Sequence, residues 1–177
     1  AAMGGGKYYD LGAHLVDQMV LLFPDPVESV YCRMHHDFPG MDVESSALLV
    51  VSFAGGRTAV MDTSSINAIP KPRFYACGTQ ATFVKYGVDP QEAAMIARNI
   101  DAAVEDPATY ARVKAGREPE RTVPTLPGRW RTYYENVRDV LNGAAEPLVK
   151  LEEVRRAIGI LDAGVRSARS GQPVRPE

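Results

Sequence analysis

The chain has 177 residues, 45% of them hydrophobic and 24% charged, which fits one globular domain with its own core and argues against a disordered segment. The formal net charge of -2 argues against nucleic acid as the main partner. No apolar run approaches the roughly 18 residues that cross a bilayer, so no membrane partner is expected. The charge is uneven: residues 1–110 carry a net -6 and residues 111–177 a net +4. The basic excess includes Arg155, Arg156, Arg166 and Arg169, expected on the wet face of a helix.

Residues 1–6, Ala1-Ala2-Met3-Gly4-Gly5-Gly6, lack the charged and apolar regions of a signal peptide and are expected to mark a point where a longer chain was cut. Residues 9–23 read as a helix. Leu11, Leu15, Val16, Met19, Val20 and Leu22 recur at helical spacing, Asp10 stands where a cap is expected, and Pro24 and Pro26 end the segment. A strand-rich block follows over residues 27–38, 45–53, 57–66, 74–78 and 82–86, with Gly55-Gly56 and Gly78-Thr79-Gln80 as turns. In residues 47–53 both alternations are apolar. One face can therefore pack on the chain's own helices, and the other needs a cover, either a second subunit or another helix of the chain. Residues 90–103 read as helix and the proline-punctuated 106–128 as an irregular excursion. Residues 130–141 and 151–168 read as closing helices, the last with Val154, Ile158, Leu161 and Val165 as its buried stripe. Helix, strands, then helices imply an α+β domain: a mixed, mainly antiparallel open sheet with helices on one face and the other face available for dimerisation.

Cys32 and Cys77 form no metal-binding or redox spacing and are expected to be reduced thiols of a cytoplasmic protein. His35 and His36 are neighbours on a strand and point to opposite faces, so no metal site is expected from them. Lys71 and Arg73 could meet an anion or stand as exposed loop charges. Asp10, His14 and Asp17, at offsets of four and seven, share one side of the first helix. A carboxylate one turn from an imidazole can orient the ring and stabilise its protonated form, as a general base requires. Spacing alone leaves open that Asp10 only caps the helix, that Asp17 is only exposed, and that His14 is structural. Tyr8 and Tyr9 beside them could bond a hydroxylated ligand or simply pack. No GxGxxG after a strand and no phosphate-binding P-loop is present.

The segment from Gly4 to Asp17, Gly-Gly-Gly-Lys-Tyr-Tyr-Asp-Leu-Gly-Ala-His-Leu-Val-Asp, resembles the GGGxxxDxGxHxxD segment of the Gfo/Idh/MocA oxidoreductases. Residues 78–87 resemble that family's later strand pair. Their continuation Val88-Asp89-Pro90-Gln91-Glu92 is similar to the branch containing NADP-dependent scyllo-inositol dehydrogenases. Tyr133-Tyr134-Glu135-Asn136-Val137 and residues 152–168 resemble its closing helices. The resemblance covers nearly the whole chain but only the family's C-terminal domain. It implies that residues 1–177 are one substrate-binding and dimerisation domain, and that the Rossmann domain binding NADP or NAD is absent from this chain.

Carried over by position, the resemblance makes His14 the base that takes a proton from a sugar or polyol hydroxyl, and Asp10 its partner in catalysis. Tyr8, Tyr9 and Asp17 are expected to bind substrate. The family's catalytic lysine, in a Glu-Lys-Pro segment, has no counterpart here, and Lys7 does not match it. Expected with this reading are no metal, a homodimer or tetramer formed through the sheet face, and no activity by this chain alone. The alternative is a non-enzymatic module for sheet-mediated dimerisation or ligand binding.

Overall fold

The structure, a computed structural model, describes residues 5–177, so Ala1 to Gly4, with the first glycine of the Gly4-Gly5-Gly6 run, lie outside the described residues. It is an α+β fold of two compact units, one formed by residues up to 67 together with 149–177, the other by 68–148.

In the first unit, α1 (Lys7–Leu22) leads into β1 (Val27–His35), β2 (Ser46–Phe53) and β3 (Arg57–Ser64), and α4 (Leu151–Ser170) completes it. The strands form an antiparallel meander in the order β1-β2-β3, with Cys32 opposite Leu49 and Leu49 opposite Met61. Gly55 and Gly56 turn β2 into β3 at φ values of 84° and 81°, a left-handed backbone that side chains other than glycine resist. Beyond α4 the chain returns to β1, where Val30 and Val174 exchange backbone hydrogen bonds of 2.8 Å and cover part of that strand's edge.

Both helices lie on one face of this sheet. Val30, Cys32, Ala47, Leu49, Val51, Phe53 and Met61 point to that face and are buried. Each full burial of a side chain the size of leucine or phenylalanine contributes about 1.5–3 kcal/mol. The opposite face carries Tyr31, Val50 and Val60 in one cross-strand row and Arg33, Leu48 and Asp62 in the next. Leu48 and Val60 are exposed, so within this unit no helix covers that face.

The helix faces differ from those expected. In α1 the buried stripe is Tyr8, Gly12, Val16, Met19 and Val20, whereas Leu11 and Leu22 are exposed. In α4 it is Ala157, Ile160, Leu161, Ala163, Gly164 and Ser167, while Val154 and Ile158 are exposed and Val165 is half-buried. Small residues let the helices approach each other and the sheet closely; a space-filling methyl on Gly12 would touch Leu161 and Met61 at 3.5 Å. Arg156 is not on a wet face. Its guanidinium donates to the carbonyls of Phe23 and Pro24, each at 3.0 Å, and to that of Asp25, so it collects the backbone that leaves α1.

In the second unit β4 (Phe74–Cys77), β5 (Thr82–Lys85), β6 (Ala111–Lys114) and β7 (Arg121–Val123) form an antiparallel sheet in that order, accompanied by α2 (Gln91–Ile96) and α3 (Arg131–Leu141). The strands thus form two antiparallel sheets instead of one mixed sheet. The segment expected to be irregular supplies β6 and β7, which are too short and polar to show a strand period. The helix expected over 90–103 stops at Ile96, with Arg98 at a φ of 61°. Lys85, largely buried, pairs with Glu105 and donates to the Thr109 carbonyl at 3.0 Å. The buried Gln91 joins Asp89 to the backbone of Trp130 by hydrogen bonds of 2.9 Å. Among the described residues no helix is long and apolar enough to cross a membrane.

Candidate functional site

The first helix starts two residues earlier than expected, so Asp10 lies inside its first turn rather than at its cap. Gly6 is the residue before the helix, and no side chain of its own caps it. The free N–H groups are met from outside: the Glu44 carboxylate accepts from the Tyr8 N–H at 2.8 Å, and the Glu44 carbonyl accepts from the Lys7 N–H at 3.3 Å. A negative carboxylate there also suits the positive end of the helix dipole.

Asp10, His14 and Asp17 all lie on the exposed side of α1, one turn after another. Asp10 makes a 3.6 Å ion pair with Lys7, an exposed contact of little energetic worth. Spacing along the helix, not a hydrogen bond, brings Asp10 and His14 together. Tyr9, Leu11, Leu21 and Leu22 on the same helix are also exposed, so the polar line is flanked by apolar side chains.

Tyr8 requires a correction. Its side chain is fully buried and its hydroxyl donates to the Leu161 carbonyl at 2.9 Å, so the geometry gives it a core role and leaves no hydroxyl for a ligand. Burial pushes that hydroxyl well above the usual tyrosine range and keeps it protonated as a donor. Tyr9, its ring edge-on to Tyr8 at 5.4 Å, is the tyrosine that faces outward.

A cavity of about 320 Å³ adjoins the start of α1, lined among others by Gly6, Lys7, Asp10, Glu44 and Ser65. Lys7, Asp10 and Glu44 thus stand, one cation and two carboxylates, around a recess that Met41 and Val43 also line. The recess stands on a closed loop base, where Asp37 accepts from the hydroxyls of Ser45 at 2.7 Å and Ser46 at 2.9 Å, and these bonds lower the Asp37 carboxyl below its usual range. Glu44 had no signal in the sequence, since it meets α1 from 36 residues away.

His35 ends β1 and His36 follows it, both exposed. Arg73 lies over the Phe74 ring at 5.9 Å. Cys32 is buried and Cys77 exposed, and both are free thiols. Among the described residues no group of three or more His, Cys, Asp or Glu side chains could hold a metal ion.

Comparison with known proteins places this arrangement in context. The family described as "Oxidoreductase family, C-terminal alpha/beta domain" (Gfo/Idh/MocA) matches residues 2–175. The uncharacterized oxidoreductase YdgJ of Escherichia coli is 29% identical over 94% of this chain and 49% of its own length. The scyllo-inositol 2-dehydrogenase (NADP(+)) IolW of Bacillus subtilis is 28% identical over 96% of this chain and 49% of its own. A crystal structure of a putative oxidoreductase from Klebsiella pneumoniae superimposes with a TM-score of 0.88 at 26% identity, covering 98% of this chain and 50% of that one. The chain therefore spans about half the length of the curated relatives it matches.

Proposed function

Because this chain belongs to the Gfo/Idh/MocA oxidoreductases, as their C-terminal alpha/beta domain, we propose that it is the substrate-binding half of an NAD(P)-dependent dehydrogenase acting on a sugar or polyol. The observation that carries the reading is the exposed face of α1. An imidazole and a carboxylate stand there one turn apart, flanked by apolar side chains that a covering surface would bury. The matched relatives are twice as long, which supplies room for such a surface.

The oxidoreductases of this family use NAD(P). His14 and Asp10 fit the reacting end of such a cofactor, as a pair able to take a proton from a hydroxyl. The nicotinamide, when bound, supplies the acceptor for a hydride. His14 accepts the hydroxyl proton on an imidazole nitrogen as the C–H bond of the same carbon gives up its electron pair, and the alcohol becomes a carbonyl. Asp10 orients the substrate hydroxyl and the ring. Asp17 and Tyr9 border the same face and contribute hydrogen bonds to further hydroxyls. An inositol-like substrate is favoured by the similarity to IolW. The uncovered row Tyr31, Val50 and Val60 supports a homodimer or tetramer through the sheet face.

Turnover tests this reading. The full-length protein, followed at the nicotinamide absorbance with inositols and aldoses, is expected to reduce NAD(P), and this chain alone is expected not to. Turnover by the isolated chain would overturn the division of labour. Its absence from the full-length protein with every sugar and polyol would overturn the substrate class.

A further inference from the structure

We propose that Glu44 is a positioning residue for the reaction: it fixes the first turn of α1 and thereby the place of Asp10. The inference rests on the dehydrogenase reading above. Glu44 meets the helix start with two groups at once, its carboxylate on the Tyr8 N–H at 2.8 Å and its carbonyl on the Lys7 N–H at 3.3 Å. Gly6 completes the lock. Its φ of -83° would suit any residue, but a Cβ there would stand 2.5 Å from the Glu44 carbonyl oxygen and 2.6 Å from its carboxylate, so glycine is required by space. Asp10 is the next link, since its N–H donates to the Gly6 carbonyl at 3.1 Å.

Glu44 itself is held in a short, closed loop. Beside it the Ser45 N–H donates to the His35 carbonyl at 2.9 Å, and the buried Ser45 hydroxyl accepts from the Asp37 N–H at 2.8 Å. The loop between β1 and β2 thus carries the rigidity of the sheet to the helix turn that presents Asp10. A displacement of about 1 Å at a reacting group can cost about a hundredfold in rate, so a contact of this kind acts on kcat without touching substrate.

The experiment uses the full-length enzyme and separates reach from charge. Glu44→Gln keeps an oxygen at the same reach and loses the charge, whereas Glu44→Asp keeps the charge and withdraws it by one methylene. Arg156→Ala, which loosens the other end of α1, controls for simple destabilisation. Expected are kcat within about threefold of wild type for Glu44→Gln and Arg156→Ala, and a loss of about tenfold or more for Glu44→Asp, with NAD(P) affinity unchanged. Equal kcat for Glu44→Asp and wild type, or an equal loss in Arg156→Ala, would overturn the proposal. His14→Ala in the same assay separates the two readings. If it keeps full turnover, the dehydrogenase reading fails; if it loses turnover while Glu44→Asp does not, only the role of Glu44 fails.

Discussion

The hydroxyl of Tyr8 occupies the space that a Cβ on Gly164 would need, and it is this vacancy on α4 that lets the hydroxyl reach the Leu161 carbonyl. The contact locks α1 against α4 at the first turn, the one that carries Asp10. A glycine inside a helix ordinarily costs about 1 kcal/mol against alanine, so helix propensity alone would favour alanine in place of Gly164. Gly164→Ala is expected to destabilise by about 1–3 kcal/mol, because overpacking outweighs the gain in propensity. In a Tyr8→Phe background the same substitution should cost less, since the colliding oxygen is gone. Urea denaturation of the four variants measures this coupling, and strictly additive costs would contradict the packing account.

Burial also makes stability depend on pH at the alkaline end. The Cys32 thiol is pushed up from 9.0 to about 11 by burial, so the folded state holds its proton after the unfolded chain has released it. That stabilisation is complete below the unfolded value and is lost as pH rises through the window from about 9 to 11, by about 1.4 kcal/mol per pH unit. Tyr8, raised in the same direction, extends the decline to higher pH. Unfolding free energy measured from pH 7 to 11 should therefore fall, and Cys32→Ala should flatten the first part of the fall. An unchanged slope in that variant would assign the decline elsewhere.

Arg156 holds the carbonyls of Phe23, Pro24 and Asp25 with hydrogen bonds from one charged group. Arg156→Met keeps most of the apolar stem and removes the donors. A loss of about 1–3 kcal/mol is expected in denaturant titrations, and a cost below about 0.5 kcal/mol would show that water replaces the guanidinium without penalty.

The uncovered sheet face makes a different prediction. Val60 is exposed at the β3 end of its cross-strand row, opposite Val50. In the full-length protein Val60→Glu should shift sedimentation toward the monomer, because a charge would have to be buried unpaired in the contact. Unchanged assembly would remove this face from the proposed oligomer.

Much of this architecture is legible from residue patterns. The Gly55-Gly56 hairpin and the doubly apolar β2 follow from turn chemistry and alternation, and both appear as expected. The buried faces of α1 and α4 do not, because burial there follows close approach at Gly12, Ala157 and Gly164 and not side-chain size. Leu11 and Leu22 count as core by hydropathy but face outward. Asp10, His14 and Asp17 fall on one side because helical spacing alone decides it. Glu44 and Arg156 were hidden, since Glu44 meets the start of α1 across 36 residues and Arg156 meets the segment after it across more than 130.

The most direct measurement is kcat of the full-length enzyme with its best sugar or polyol, for wild type and His14→Ala, alongside NAD(P) affinity and melting temperature. A loss of about 10² to 10⁴ in kcat, with affinity and melting unchanged, is the expected result for removal of a general base. Turnover equal to wild type would contradict the account and leave His14 a bystander on an exposed helix face.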